Sequence, residues 1–127
     1  MTTLAAIAFA VVTASVVLFQ LALALGAPWG EYAMGGRYPG TFPMAMRVSA
    51  VGQAALLAAM VVFVLSDAGL ILASMAKALP WLIWVVVAFS GISLVLNAIS
   101  PSPGERRIWV PVALVMLLSS LVVALTT

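Results

Sequence analysis

The chain reads as an all-α membrane protein: four transmembrane helices in an antiparallel bundle, with no soluble domain. Three observations predict this class. Four apolar runs, residues 4–25, 48–65, 80–99 and 108–125, hold no charged side chain, and each comes close to the roughly 17–25 helical residues that a bilayer crossing requires. None alternates polar and apolar residues as a barrel strand would, so a helix is the way left to satisfy every backbone N–H and C=O in hydrocarbon. Finally, the eight charges of the 127-residue chain (Glu31, Arg37, Arg47, Asp67, Lys77, Glu105, Arg106 and Arg107) all fall in the three breaks between runs. The breaks are too short to bury a core of their own. One domain over residues 1–127 follows, with helices at about 4–25, 48–65, 80–99 and 105–125.

The first run raises the question of a signal peptide, because Ala22 and Ala24 offer an A-x-A-like site. No Lys or Arg precedes it, and its apolar stretch exceeds the usual ~7–15 residues, so a retained helix is expected. Ala6, Ala10 and Ala14 recur at a spacing of four, and small residues so placed let helices approach where lipid gives no hydrophobic drive to associate. Gln20, the one strongly polar group well inside this helix, is expected to form an interhelical hydrogen bond. Gly26 and then Pro28 end the helix: a glycine free to turn left-handed, followed by a residue that cannot continue the ladder.

The first break, residues 26–47, is long for a connection between bundle helices, which usually takes about 2–8 residues, and so is expected to be functional or ordered on the membrane surface. Trp29, Tyr32, Tyr38 and Phe42 suit the headgroup zone. Pro43 can open the second helix, where its missing N–H is no loss. In that helix Ala50, Ala54 and Ala58 repeat the small-residue spacing. The second break starts with a turn at residues 66–69, followed by a mostly apolar stretch, 70–79, with Lys77 its only charge. A short interfacial helix leading to Pro80 is expected there; the alternative is a second helix that runs on to Leu72. Trp81 and Trp84 then anchor the third helix at the interface.

In the third break, Ser102-Pro103-Gly104-Glu105 fits a helix start, with Ser102 as N-cap, Pro103 at the first position and Glu105 reaching back as in a capping box. Pro111 then lies inside the fourth helix, frees the carbonyl of Arg107 and predicts a kink one turn in. Arg106 and Arg107 in a first turn oppose the helix dipole, at a cost of about 0.3–1 kcal/mol each, which lipid phosphates can offset.

Hydrophobic residues make up 66% of the chain and charged residues 6%, against roughly 25% charged in an average soluble domain. A net charge of +2 on so few groups offers no basic patch for nucleic acid. There is no Cys and no His. That removes thiol redox pairs, thiolate nucleophiles, the commonest general base and the commonest zinc or haem ligand. The three carboxylates stand in three different breaks, with no cluster for a divalent metal. Met44-x-Met46 with Met34 nearby echoes a soft copper(I) site, but without Cys or His these are read as apolar residues near an interface. No cofactor, metal or catalytic residue is therefore expected.

Breaks one and three lie on the same side of a four-helix bundle. Together they carry Arg37, Arg47, Arg106 and Arg107, against Lys77 alone in break two, so the positive-inside rule puts them in the cytoplasm. The same geometry produces the candidate site: Glu31, Arg37, Asn97, Glu105, Arg106 and Arg107 at one membrane face, with Trp29 and Trp109 as walls. Guanidinium groups over aromatic rings can hold a lipid phosphate or an anionic metabolite. The competing reading has Glu31 and Glu105 pairing with these arginines to stitch the two helical hairpins together.

The stretch GAPWG at residues 26–30, the pair Gly35-Gly36, and Glu105-Arg106-x-x-Trp109-x-Pro111-Val112-Ala113 resemble those of a group of small four-helix bacterial integral membrane proteins, frequent in actinobacteria. The resemblance spans the whole chain. It implies the architecture and the weight of the two loops, and brings no activity with it. Two other small families fail on residues. Small multidrug transporters depend on a carboxylate in the first helix, and residues 4–25 hold none. Fluoride channels carry an early glycine-rich segment ending in Arg plus polar pore positions; residues 35–38 echo the first only after helix one, and no polar track is evident in the second or third helix. The leading functional expectation is a non-catalytic accessory or lipid- and anion-binding protein in the bilayer of a bacterial cell membrane, with a membrane-protein partner or a second copy. Behind it stand a homo-oligomeric small transporter or channel, and an enzyme acting through Glu31 or Glu105.

Overall fold

A computed structural model describes all 127 residues as an all-helical chain. Five α-helices run in order: α1 (Thr2–Ala24), α2 (Met44–Asp67), α3 (Ala73–Ala78), α4 (Leu82–Ala98) and α5 (Pro103–Thr126). Two single-turn 3-10 helices, Gly30–Tyr32 and Met34–Gly36, shape the loop between α1 and α2. Three helices, α1, α2 and α5, are long and apolar enough to cross a membrane, and α4 is a shorter apolar helix of 17 residues.

The helix ends follow from local chemistry. At α1 the amide of Gly26 bonds to the carbonyl of Leu23 and that of Ala27 to Ala22, the paired closure that satisfies the last carbonyls when the intervening residue turns left-handed. Gly26 does so at φ +102°. The same pair of bonds, Gly69 to Ser66 and Leu70 to Leu65, ends α2. This stop decides between the two readings of the second break: α2 does not reach Leu72, and α3 is the separate short helix. At the other end of α2, Pro43 is the residue before the helix and accepts from the amides of Met46 and Arg47. Arg47, in a first turn where a cation is unfavourable, sends Nε to the Ala24 carbonyl at 2.8 Å, the terminal carbonyl end of α1. Ser102 caps α5, its Oγ accepting from the Glu105 amide at 3.2 Å, with Pro103 first. Helix α5 continues through Pro111 to Thr126.

Helix α1 lies between α2 and α5, α5 packs on α4, and α3 rests on α2, while α2 and α4 scarcely meet. Helices α1 and α5 run in opposite directions, since Thr2 hydrogen-bonds Thr126 at one end while Phe19 packs on Trp109 towards the other. Two cores result. The larger lies towards the chain termini and α3, and includes Phe9, Leu57, Met60, Phe63, Ile83, Val86, Met116 and Val123. The smaller, Leu23, Phe42 and Ala50 with Phe19, Tyr38 and Met46 around it, lies under the long loop.

The small-residue rows behave differently from their expectation. Ala6 is fully buried but Ala14 is exposed; Ala50 and Ala54 are buried but Ala58 is exposed. A strict spacing of four drifts by about 40° per step at 3.6 residues per turn, so after two steps the row has left the seam. The real seam on α1 alternates its spacing: Ala6, Phe9 and Thr13. Only 24 of the 127 residues are buried, and among them are Thr13, Ser66, Ser90, Ser100, Ser119, Ser120 and Glu105, while long side chains such as Leu4, Val11, Leu18, Ile92 and Leu118 are exposed. Small polar groups inside and large apolar ones outside is a distribution suited to hydrocarbon as the solvent.

Candidate functional site

The loop between α1 and α2 folds back on the start of α5, and three glycines permit it. The amide of Gly30 bonds to the Gly40 carbonyl at 2.9 Å. A Cβ on Gly30 would stand 1.8 Å from the Tyr38 carbonyl, and one on Gly104 would stand 2.5 Å from the Tyr32 ring. Gly36 comes close to Ser102, whose Oγ donates to the Glu31 carbonyl at 2.6 Å. The Trp109 indole N–H donates to the carbonyl of Tyr32 at 2.8 Å, and the Trp109 ring lies 4.7 Å from that of Phe19. The two breaks are thus one unit, joined through backbone groups.

Glu105 is the pivot of that unit. It is 8% exposed, and its Oε2 accepts from the Gly35 amide at 2.8 Å and from Ser100 Oγ at 3.0 Å. This revises the capping box: the Ser102 half forms, while the Glu105 carboxylate reaches across to the other loop, and the Ser102 amide turns to Ser100 Oγ instead. The expected stitching by ion pairs is replaced as well. Glu31 is exposed and joins the unit by its carbonyl, and Arg106 donates Nη1 to the Ser100 carbonyl.

Beneath this unit, between the two cores, is a cavity of about 540 Å³. It adjoins a second space of about 350 Å³ where α2 and α4 part, lined by Gln53, Leu56, Leu57, Phe89, Ile92, Ser93 and Leu96. The larger cavity is mostly apolar, walled by Phe19, Phe42, Phe89, Met46, Leu96 and Trp109 among others, with a few polar groups at its loop end and along one side. Such a lining, apolar with a small number of convergent polar groups, is that of a small-molecule site, for which about 300–1,000 Å³ is usual.

Of the eight residues expected at the site, Arg37, Asn97, Glu105 and Trp109 line this cavity. The others stand away from it. Trp29 is largely exposed and stacks on Phe19 at 6.4 Å, Glu31 and Arg107 are exposed, and Arg106 is held on the third break. Of the arginines expected at the site, one, Arg37, lines the cavity.

Ser49, Gln53 and Ser93, which no charge or loop motif marks, also line it. A polar row does exist on both facing helices: Ser49 and Gln53 are four apart on α2, and Ser90, Ser93 and Asn97 span two turns of α4. That periodic row was the available signal. Gln20, expected to find an interhelical partner, donates Nε2 to Gln53 Oε1 at 3.5 Å, a long bond at the cavity wall. Asn97 Nδ2 donates to the Ser93 carbonyl at 2.7 Å, which leaves its oxygen free of bonds within the fold.

Compared with protein-family models, curated proteins and solved structures, the chain matches none.

Proposed function

We propose that this chain is a non-catalytic, multi-pass protein of a bacterial cell membrane that binds an amphiphile in the cavity between α2 and α4. The observation that carries the reading is the lining of that cavity: mostly apolar, with polar groups at the loop end and along one side, and continuous with the gap where α2 and α4 diverge. A molecule with a polar head and an apolar chain fits such a space, entering from the bilayer rather than from water. In this reading α4, at about 25 Å for 17 residues, is a fourth crossing, helped by Trp81 and Trp84 at its end and by local thinning of the bilayer. Arg37, Arg47, Arg106 and Arg107 against Lys77 favour a cytoplasmic loop end.

Binding is preferred to conduction because the cavity stops at the larger core. Phe9, Met60, Phe63 and Val64 are buried there, and none of them lines the cavity. It is preferred to catalysis because the carboxylates stand apart, with Glu31 exposed in the loop, Glu105 bonded in the wall, and Asp67 at the far end beside Thr127.

The test is native mass spectrometry of the purified protein with the bilayer lipids that accompany it. One lipid or single-chain amphiphile per chain is expected. Ser93→Phe, which puts a bulky ring where the two spaces join, should lose it while circular dichroism stays helical. Equal loading of both proteins would overturn the proposal.

A further inference from the structure

Resting on that reading, we infer that the amphiphile carries a zwitterionic aminophosphate head, its ammonium directed to Glu105 and its phosphate to Arg37. These are the two charged side chains that line the cavity. Both belong to the loop unit above it: Glu105 Oε2 is fixed on the Gly35 amide at 2.8 Å, and Arg37 follows Gly35 by two residues, its Cα at most about 7 Å from that of Gly35. Glu105 lies in the wall and Arg37, which is exposed, stands at the rim.

The order of the charges follows from this depth. A carboxylate in the wall accepts from a cationic donor, as its Oε2 already accepts from a backbone amide and a serine hydroxyl. A purely anionic head would have to sit against Glu105. A head with both charges meets each with its opposite, while the oxygen of Asn97 adds an acceptor on the same side. The chain of the lipid then runs along Phe89, Leu96 and Leu57 towards the gap between α2 and α4.

Three single-chain probes with the same acyl group separate the contributions. They are a phosphoethanolamine lipid, its N-acetylated form, which keeps the phosphate and loses the ammonium, and the monoacylglycerol. In competition on the purified protein, read by native mass spectrometry, the phosphoethanolamine lipid should be retained about tenfold over the N-acetylated form, the scale of one charge-assisted hydrogen bond. Glu105→Gln, whose amide oxygen can still accept from Gly35 and Ser100, should bring that ratio near one. Arg37→Gln, at an exposed position that leaves folding intact, should weaken both phosphate-bearing probes against the monoacylglycerol.

Equal retention of the amine and its N-acetylated form by the native protein would overturn the inference while leaving amphiphile binding standing. So would an unchanged ratio in folded Glu105→Gln. Displacement by free phosphoethanolamine at the same concentration would also overturn it, by removing the role of the chain. Retention of none of the probes, with no difference on Ser93→Phe, would overturn both readings together.

Discussion

At the scale of single residues, burial of polar groups decides most of what is unusual here. Glu105 is tolerated inside because two donors from two different segments meet it, one of them a backbone amide with no other partner in the fold. Thr13 is the contrasting case. It is fully buried on the α1 seam, and its Oγ1 is the buried side-chain oxygen without a hydrogen-bond partner. An unmade bond of this kind costs about 1–3 kcal/mol, whereas an apolar group of the same shape costs nothing comparable. Thr13→Val should therefore raise thermal stability in detergent, by about 1 kcal/mol. A lowered melting temperature would mean that Thr13 has a partner in the membrane-embedded protein. No pattern in the sequence announces that Thr13 is unsatisfied, because the stripe of alanines beside it points to a different seam.

At the scale of elements, the caps were readable and the contacts between loops were not. Gly26, Pro43, Ser102 and Pro103 each do locally what their chemistry predicts. The expected helix bounds differ from those observed by a few residues, as at α2, which starts at Met44, directly after Pro43, instead of residue 48. Gly104 shows the limit of local reading. It looks like filler in a helix start, yet the Tyr32 ring occupies the place of its side chain. Gly104→Ala should improve helix propensity and still destabilise, since displacing a packed ring costs typically about 1–3 kcal/mol. A double substitution with Tyr32→Ala should recover part of the loss, as contacting sites are not additive. Additive losses in melting temperature would show that the ring moves freely.

At the scale of the whole molecule, the arrangement of helices creates the cavity. Helices α1 and α5 form the centre, α2 and α4 flank them without closing on each other, and the two cores leave the space between. The proposed membrane topology has a direct check, because the chain has no native cysteine. Single cysteines at Glu31 and Pro101 should react with an impermeant maleimide from the cytoplasmic side, and one at Lys77 from the opposite side. Cysteines at Val62 and Leu118, both exposed on apolar helices, should stay unlabelled. Labelling of either, or reaction of Glu31 and Pro101 from opposite sides, would refute the topology.

The sequence by itself determined the helical class, the apolar segments and the helix ends, because each depends on hydrocarbon length, on φ restrictions or on a hydrogen bond within a few residues. It also singled out Glu105, Arg37, Asn97 and Trp109. Which arginine lines the cavity, the crossing of Glu105 to Gly35 and the side to which Ser49, Gln53 and Ser93 turn were decided only by tertiary structure. A charge in a loop can point to water or to the cavity with no change in sequence pattern, and which it does depends on how closely two backbones approach. That approach is set here by side chains that are missing, at Gly30, Gly36 and Gly104, and by a pair of helices that scarcely meet.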